Sequence, residues 1–252
     1  MNFKPILFST PMVQAILAGL KSQTRRIIVP KYSNTDIEWR KDKYGTQLVE
    51  MQNDVPPPVK NEDGSTIHCL RSYSILKPKY NVGDILWVRE TFYAFGWWRE
   101  EGKTKTGKPK KRFVDFTTVD MDGEYGYETD AVKKTVIEGK PIHEMGWYKR
   151  PSLFMPKEAA RNFLKVTRVR AERLQDISEA DAIAEGVEYH PCPIDGRPRY
   201  KDYLRPAETL GKAKTSFNTL WQYINGADAW EANRWVWPYE FERIDKPKNF
   251  LV

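Results

Sequence analysis

Short runs of apolar residues, at helical or strand spacing, alternate along this chain with long polar stretches. After Pro11, apolar residues recur at positions 12, 15, 16 and 20, which is the spacing of an amphipathic helix that Gly19 would end. The same spacing predicts a helix over Ser216–Ile224, and Ser178 begins a short helix with a capping-box pattern. Helices are therefore predicted to be few and short.

Strand-like patterns outnumber the helical ones. They cover residues 27–29, 85–90, 113–119, 163–173 and 235–241. Polar, turn-rich stretches lie at about 31–80, 99–146 and 188–212, and the second of them contains the strand-like residues 113–119. We therefore predict an α+β fold in which residues 1–252 form a single domain, a mixed β-barrel with short flanking helices. The three polar stretches are predicted to be long inserted loops on its surface.

Composition adds a mild indication of the partner. The chain carries 41 Lys and Arg against 34 Asp and Glu, a net charge of +7, and 13% of its residues are aromatic. Positive charge suits phosphates and aromatic rings suit bases, so the two together favour a nucleic-acid or nucleoside partner. No apolar run approaches the roughly 20 residues that span a bilayer, so no membrane partner is expected. Two cysteines make no disulfide framework, which predicts a cytoplasmic protein.

Two polar clusters adjoin predicted elements. The hexapeptide Lys21-Ser22-Gln23-Thr24-Arg25-Arg26 follows the first helix and precedes the strand at 27–29, so it is predicted to be a helix-to-strand turn. The turn Asn81-Val82-Gly83-Asp84 leads into a nearly continuous apolar strand that ends in Arg89 and Glu90. Hydroxyl, amine, guanidinium and carboxylate groups at the ends of elements are candidates for chemistry.

These two clusters, Ile16–Arg26 and Val82–Glu90, resemble the ASCH domain of the PUA-like superfamily, in which a Lys-x-x-Thr turn follows a helix and an acidic residue ends a strand. Further pieces are similar to the long ASCH-like proteins of bacteriophages and prophages. They are Arg150–Pro156, Glu172–Ile177, Asp181–Gly186 and Trp235–Trp237. The matching pieces run in order from residue 6 to about 243, with divergent insertions between them.

The resemblance implies a PUA-like β-barrel with a cleft that takes RNA or a modified nucleoside. Small bacterial proteins similar to this one are 4-acetylcytidine amidohydrolases, with a lysine as base, a threonine as nucleophile and a glutamate as acid. Carried onto this chain, that trio is Lys21, Thr24 and Glu90. This chain is more than twice the length of a minimal domain of the family, which affects the expected substrate more than the expected site.

The trio has a physical requirement. A threonine hydroxyl attacks a carbonyl only when a base takes its proton, and Lys21 acts as that base only as a neutral amine. Lysine ordinarily titrates near ~10.4, so burial and neighbouring cations such as Arg25 and Arg26 would have to lower its pKa. A nearby Glu90 carboxylate would raise that pKa again unless it were protonated. The trio is therefore expected in a partly desolvated cleft.

The same residues allow other interpretations. Lys21, Arg25 and Arg26 could bind phosphate while Glu90 accepts a hydrogen bond from a base, either in an RNA-binding module without turnover or in a ribonuclease. A purely structural interpretation is a solvated helix end at Lys21 and Thr24. Glu90 would then pair with Arg89 or Arg26, or with a buried Arg25.

Further residues are predicted to contact the substrate. They are Arg25, Arg26, Arg89, Tyr93, Trp98, Tyr127 and Asn233, with Trp97 and Asp130 as weaker candidates. Trp87 lies inside an apolar strand and is predicted to be core. The basic stretch 103–112 is either a solvated hairpin tip or a clamp on an RNA backbone.

The remaining chemistry is sparse. His68-Cys69 and His190-x-Cys192 could supply two histidines and two cysteines to zinc, but their spacing is not that of a zinc knuckle. No glycine-rich phosphate loop or nucleophile elbow occurs. We therefore predict neither a metal nor a cofactor.

Overall fold

The computed structural model describes residues 2–43, 45–54, 58–63, 65–67, 72–120, 123–131 and 134–251. These residues form a mixed α+β structure with 17 strands and four short helices, which confirms the predicted class. No described helix is long and apolar enough to cross a membrane.

The strands, in chain order, are β1 (Phe3–Leu7), β2 (Gln23–Ile27), β3 (Thr35–Asp42), β4 (Gly45–Gln52), β5 (Val59–Lys60), β6 (Thr66–Ile67), β7 (Tyr73–Ile75), β8 (Ile85–Arg89), β9 (Phe92–Lys103), β10 (Pro109–Asp115), β11 (Gly126–Tyr127), β12 (Gly146–Arg150), β13 (Phe163–Val169), β14 (Glu172–Arg173), β15 (Tyr200–Lys201), β16 (Thr209–Leu210) and β17 (Trp235–Ile244). The helices are α1 (Thr10–Leu17), α2 (Thr117–Asp120), α3 (Glu179–Ala184) and α4 (Ala213–Asn225). Three single 3₁₀ turns lie at Ser152–Phe154, Leu174–Asp176 and Ala227–Ala229.

The chain divides into two compact units, each assembled from separate segments. Unit 1 draws on Met1–Ser22, Val82–Thr167 and Phe241–Val252, and unit 2 on Gln23–Asn81 and Arg168–Glu240. The chain therefore crosses from one unit to the other four times.

Unit 1 contains two groups of strands. In the first, β8 pairs in parallel with β1 and antiparallel with β13, and the Lys4 ammonium bonds the Asp84 carboxylate at 2.7 Å beside the turn that begins β8. In the second, β9 pairs antiparallel with β10, β11 and β12. The core of unit 1 contains Trp87, as predicted, packed in one cluster with Phe92, Phe163 and Phe250.

Unit 2 contains the antiparallel pairs β2–β17 and β14–β17, and its core lies between these strands, α3 and α4. Ser178 caps α3 as predicted, because its hydroxyl accepts a 3.0 Å hydrogen bond from the Asp181 amide. Helix α4 covers the predicted 216–224 and begins three residues earlier, and it buries Phe217 and Trp221. Gly226 ends it with a positive φ of 101°.

The stretch 31–80, predicted as loop, contains an antiparallel sheet of β3, β4 and β7. Strand β4 buries Leu48, Val49 and Met51. These residues and the buried Glu50 form one short run within an otherwise polar, turn-rich stretch, so the sequence pattern alone gave no strand there. In the predicted loop 188–212, β15 and β16 form a short antiparallel pair.

Two strand boundaries also differ from prediction. The strand predicted at 27–29 covers Gln23–Ile27 instead, because hydrogen bonds to β17 recruit four polar residues that apolar patterning excludes. The strand predicted over 113–119 ends at Asp115, whose carboxylate accepts from the Thr117 amide at 2.9 Å and starts α2.

Candidate functional site

Glu90 directly follows β8 and is only 1% exposed. Its Oε1 accepts hydrogen bonds from Arg161 Nε at 3.1 Å and from Asn162 Nδ2 at 2.8 Å. Its Oε2 accepts from the Thr129 hydroxyl at 2.8 Å and from Arg161 Nη2 at 3.3 Å. Four donors thus converge on one buried carboxylate, and one donor group is a cation, as a buried charge requires.

Arg161 is the cation of this cluster, and it makes more than the contact with Glu90. Its Nη1 donates to Asp130 at 2.7 Å and its Nη2 to the Thr129 hydroxyl at 2.5 Å. The guanidinium carbon lies 3.6 Å from the centroid of the Tyr127 ring, a cation–π stack. Burial tends to lower the pKa of Arg161, but the hydrogen bonds and attraction from Glu90 and Asp130 outweigh it and raise that pKa. Arg161 therefore stays charged beside Glu90.

The chain fixes this cluster from several elements of unit 1. Tyr127 ends β11, and its hydroxyl donates to the Ala159 carbonyl at 2.6 Å while its amide donates to Asp130 at 2.8 Å. Burial raises the pKa of the Tyr127 phenol, against the opposing effect of Arg161, so the hydroxyl remains a donor. Next to β13, the backbone carbonyl of Asn162 accepts from the Val88 amide at 2.9 Å, which ties the Asn162 backbone to β8. Glu90 is thus held in one position.

Thr24 lies within strand β2 of unit 2, and not in the predicted turn. It is 4% exposed and stands opposite Tyr239 of β17. Because side chains alternate along a strand, Thr24 and Arg26 point to one face, and Gln23 and Arg25 to the other. Each of these positions pairs with a residue of β17, from Gln23 with Glu240 to Arg26 with Trp237.

Arg25 is wholly buried and surrounded by carboxylates. Its guanidinium bonds Glu172 through Nη2 at 2.7 Å and Nε at 3.1 Å, and Glu185 through Nη1 at 3.1 Å. Asp181 lies 3.5 Å away, and Gln23 Oε1 accepts from Nη1 at 2.5 Å. Its side chain therefore ties β2 to β14 and α3, which favours the structural interpretation of Arg25 over a ligand contact.

The cluster around Arg25 continues to the surface of unit 2. Arg170 bonds Glu172 at 2.8 Å and Asp181 at 3.0 Å, and it also bonds Glu240. Burial tends to raise the pKa of Asp181, but hydrogen bonds from Gln23 and Ser178 and the two arginines outweigh it and lower that pKa. The Asp181 carboxylate is thereby kept ionised next to the arginines.

Lys21 follows α1 in unit 1 and is 4% exposed. Its amide donates to the Ala15 carbonyl at 3.1 Å, and its Nζ lies 5.9 Å from the centroid of the buried Phe8 ring. Of the predicted trio, Lys21 and Glu90 belong to unit 1 and Thr24 to unit 2. All three side chains are buried, although each is polar.

The other predicted contacts have varied surroundings. Arg89 donates to the Leu153 carbonyl and lies 5.4 Å from the Trp87 ring, and burial lowers its pKa. Tyr93 is buried and donates to Glu128, and burial with this bond raises its pKa to about 12. Arg26 is half-buried in β2.

Trp98 and Asn233 have structural partners. Trp98 is 6% exposed and packs against Phe113, Tyr148 and the Arg150 guanidinium, so its ring is covered by the protein's own side chains. Asn233 adopts a positive φ of 38°, and its Oδ1 accepts from the Gln175 amide at 2.9 Å. Trp97, a weaker candidate, packs against His143.

Of the four candidate zinc ligands, the structure describes two. His68 and Cys69 lie outside the described residues. His190 lies 3.7 Å from Glu188, and Cys192 is a free, half-buried thiol. Within the described part of the chain, no three His, Cys, Asp or Glu side chains are grouped to hold a metal ion.

The sequence did not single out Arg161, Asn162 or Thr129. Arg161 and Asn162 precede the strand predicted from Phe163, and they lie 71 and 72 residues from Glu90. A buried carboxylate requires a cation, which signals that some partner exists. Which of the 41 basic residues it is follows only from the pairing of β8 with β13.

No family model, curated protein or solved structure matches the chain. The assignment to the ASCH family thus remains a prediction from the motifs.

Proposed function

We propose that this protein is an ASCH-type hydrolase with a PUA-like fold that removes the acyl group from 4-acetylcytidine or a related acylated cytidine. The proposal takes the family and the trio from the motif resemblance. The observation that carries it is the burial of all three polar side chains, with Lys21 and Thr24 at 4% and Glu90 at 1% exposure. Solvated helix and strand ends, the structural alternative, do not have this property.

The burial of these polar side chains supports the proposal because removing them from water is unfavourable. Taking an amine, a hydroxyl or a carboxylate out of water is unfavourable unless it is paired, so such groups are concentrated at functional sites and in structural ion networks. For Arg25 the network is structural, because three carboxylates surround it. Thr24, the neighbouring residue on the other face of β2, forms no part of that network.

The chemistry follows from the residue types. In this proposal the Thr24 hydroxyl attacks the acyl carbonyl, and the neutral Lys21 amine takes its proton. The resulting Lys21 ammonium returns that proton to the cytosine nitrogen as the C–N bond breaks. Water then attacks the acyl-threonine ester and gives up a proton to Lys21, and the Lys21 ammonium passes that proton to the Thr24 oxygen as the carboxylic acid leaves. Every proton is accounted for without a second acid.

Glu90 therefore receives a different role from the one that the resemblance implies. Arg161 donates to both of its oxygens, so the side chain is engaged as an acceptor in a charge-assisted pair. We assign Glu90 as a fixed negative charge that supports the ammonium form of the lysine in the transition state. Arg161, Asn162 and Thr129 are positioning residues for it.

The test is incubation with 4-acetylcytidine, followed by chromatographic separation of cytidine. Thr24→Ser keeps the hydroxyl and is expected to retain activity, whereas Thr24→Val keeps the shape, removes the nucleophile and is expected to lower kcat by about 10³-fold or more. Both variants are checked for folding by circular dichroism. Equal turnover in Thr24→Val and wild type would exclude the proposed nucleophile, and absence of turnover in wild type would exclude this substrate.

A second candidate is a nucleoside-binding module without turnover. The four donors on Glu90 favour it, because a carboxylate with this many hydrogen bonds is pre-organised as an acceptor. In this case wild type binds labelled nucleoside in equilibrium dialysis but releases no product. Product formation that depends on Thr24 decides against it.

A further inference from the structure

The hairpin formed by β9 and β10 extends as an isolated two-stranded ribbon. Strand β9 pairs with β11 and β12 only up to Gly96, and one isolated bridge joins Trp98 to Ile142. Beyond Trp98, within the described residues, β9 pairs only with β10, from Arg99 opposite Arg112 to Lys103 opposite Pro109. The turn between the strands is closed by the Thr104 amide, which donates to the Lys108 carbonyl at 2.8 Å.

The ribbon carries most of the net charge of the protein. Residues 99–112 include seven basic and two acidic side chains, a net charge of +5, whereas the whole chain carries +7. All of these residues are exposed except Glu101, which is half-buried. The segment contains no aliphatic or aromatic side chain apart from Pro109. A two-stranded ribbon without a core is marginal by itself, and mutual repulsion of its cations weakens it further.

Four lysines of the ribbon form no salt bridge with any described residue. Glu101 bonds Arg112 at 3.0 Å and lies 3.5 Å from Arg99, and the Lys111 ammonium donates to the Lys140 carbonyl at 2.8 Å. Within the described part of the chain no carboxylate forms a salt bridge with Lys103, Lys105, Lys108 or Lys110, and only Lys110 is attracted by Glu101 from farther away. These four lysines occupy the outer end of the ribbon on both strands and the turn. A surface built this way is suited to a polyanion that supplies several negative charges at once.

We propose that the ribbon of residues 99–112 binds double-stranded DNA through its phosphates, with the hairpin lying in the major groove. A B-form major groove is about 12 Å wide and admits a two-stranded β-ribbon, whereas the A-form groove of duplex RNA is too narrow. Cations at the end of such a ribbon reach the phosphates on both sides. The proposal does not depend on the proposed hydrolase activity, since Lys21, Thr24 and Glu90 are not part of the ribbon.

The composition of the ribbon separates DNA from the other polyanions. Single-stranded nucleic acid is held largely by base stacking on aromatic rings, and residues 99–112 contain none. Membrane-surface segments insert apolar side chains next to their cations, and these too are missing here. A rigid, regularly spaced row of phosphates is the partner that this set of side chains fits best.

The experiment measures binding of the full-length protein to a fluorescently labelled 20-base-pair DNA of mixed sequence, by anisotropy, over a series of salt concentrations. One variant changes Lys103, Lys105, Lys108 and Lys110 to Gln. The matched control changes the exposed lysines Lys60, Lys77, Lys246 and Lys248 to Gln, so both variants have the same net charge. Circular dichroism and thermal unfolding check that both are folded.

We expect wild type and control to show the same steep fall of log Kobs with log salt. In the ribbon variant this negative slope is expected to become shallower by about 3 to 4, since each of the four lost phosphate contacts contributes about −0.9. Equal losses in the control, or no binding of DNA by wild type, would overturn the proposal. Equal or tighter binding to duplex RNA, to single-stranded DNA of the same sequence, or to vesicles with phosphatidylserine would also overturn it.

Discussion

Glu50 shows how a single buried carboxylate organises a surface segment. It is 1% exposed on β4 and accepts hydrogen bonds from the amides of Lys31 and Tyr32, at 3.0 and 2.8 Å, and from the Thr35 hydroxyl at 2.9 Å. Burial tends to raise the pKa of Glu50, but these three bonds and the Lys31 charge outweigh it and lower that pKa. The residues that follow β2 are thereby attached to the sheet formed by β3, β4 and β7.

This arrangement predicts an acid-sensitive contribution to stability. Because the folded pKa of Glu50 lies below the unfolded value near ~4.3, the stabilisation is present above that pH and is lost as the pH falls through the folded pKa. Urea denaturation at pH 7 is expected to show Glu50→Gln less stable than wild type by about 2 kcal/mol. The gap is expected to shrink below about pH 4. A gap that stays constant from pH 7 to pH 3 would contradict the assignment.

The residue scale also shows where sequence reasoning ends. Residue type and position identified Trp87 as core, and a motif drew attention to Glu90 and Arg25. Their partners were not accessible, because Arg161 is 71 residues from Glu90 and Glu172 is 147 residues from Arg25. Long-range ion pairs follow from strand pairing, which no local pattern contains. Arg25 was accordingly predicted as a ligand contact, although its surroundings are those of a structural cation.

At the scale of elements, the helices and strands that could be predicted are those whose own residues carry a cap or an apolar pattern. In the sequence α3 has a capping serine and α4 has apolar residues at helical spacing, and the structure confirms both helices. Strands β2 and β4 are polar at many positions and owe their existence to pairing with β17 and with β3 and β7. A strand that depends on its neighbours leaves little trace in its own sequence.

Two facing glycines on β9 and β12 give a prediction about the base of the ribbon. Gly96 pairs with Gly146, and a Cβ on Gly96 would lie 2.0 Å from the Val114 carbonyl oxygen of β10. A Cβ on Gly146 would instead meet the Ile137 Cδ1 at 2.4 Å, the mobile end of a side chain. We expect Gly96→Ala to cost about 3 kcal/mol in urea denaturation and Gly146→Ala about 1 kcal/mol.

The second substitution offers its own control. Ile137→Val removes the atom that a Cβ on Gly146 would meet, so it is expected to relieve Gly146→Ala. It should leave the cost of Gly96→Ala unchanged, because the obstacle there is backbone. Equal costs for the two alanine variants, or relief of both by Ile137→Val, would show that the backbone of β10 can move away from β9.

At the scale of the whole molecule, the two units are distinct in their cores but continuous in their strands. Phe163 belongs to the core of unit 1 and Phe217 to that of unit 2. Strand β13 begins in unit 1 and ends in unit 2, whereas β17 begins in unit 2 and ends in unit 1. Neither unit is a contiguous piece of chain. The amino-acid sequence contains no local signal for this division, because two of the four crossings between the units lie within strands β13 and β17 and not at linkers.

Continuity of the strands predicts that the units unfold together. When one unit unfolds, it disrupts part of β13 and part of β17, and both strands continue into the other unit. Phe163→Ala and Phe217→Ala are each expected to cost about 3–5 kcal/mol, since both side chains are at most 2% exposed. Each variant should give one transition, with tryptophan fluorescence and far-ultraviolet circular dichroism coinciding. Phe154→Ala, at a site that is 58% exposed, is the control and should change stability by less than about 0.5 kcal/mol. Two separate transitions in either core variant would show that the units unfold independently despite the strands they share.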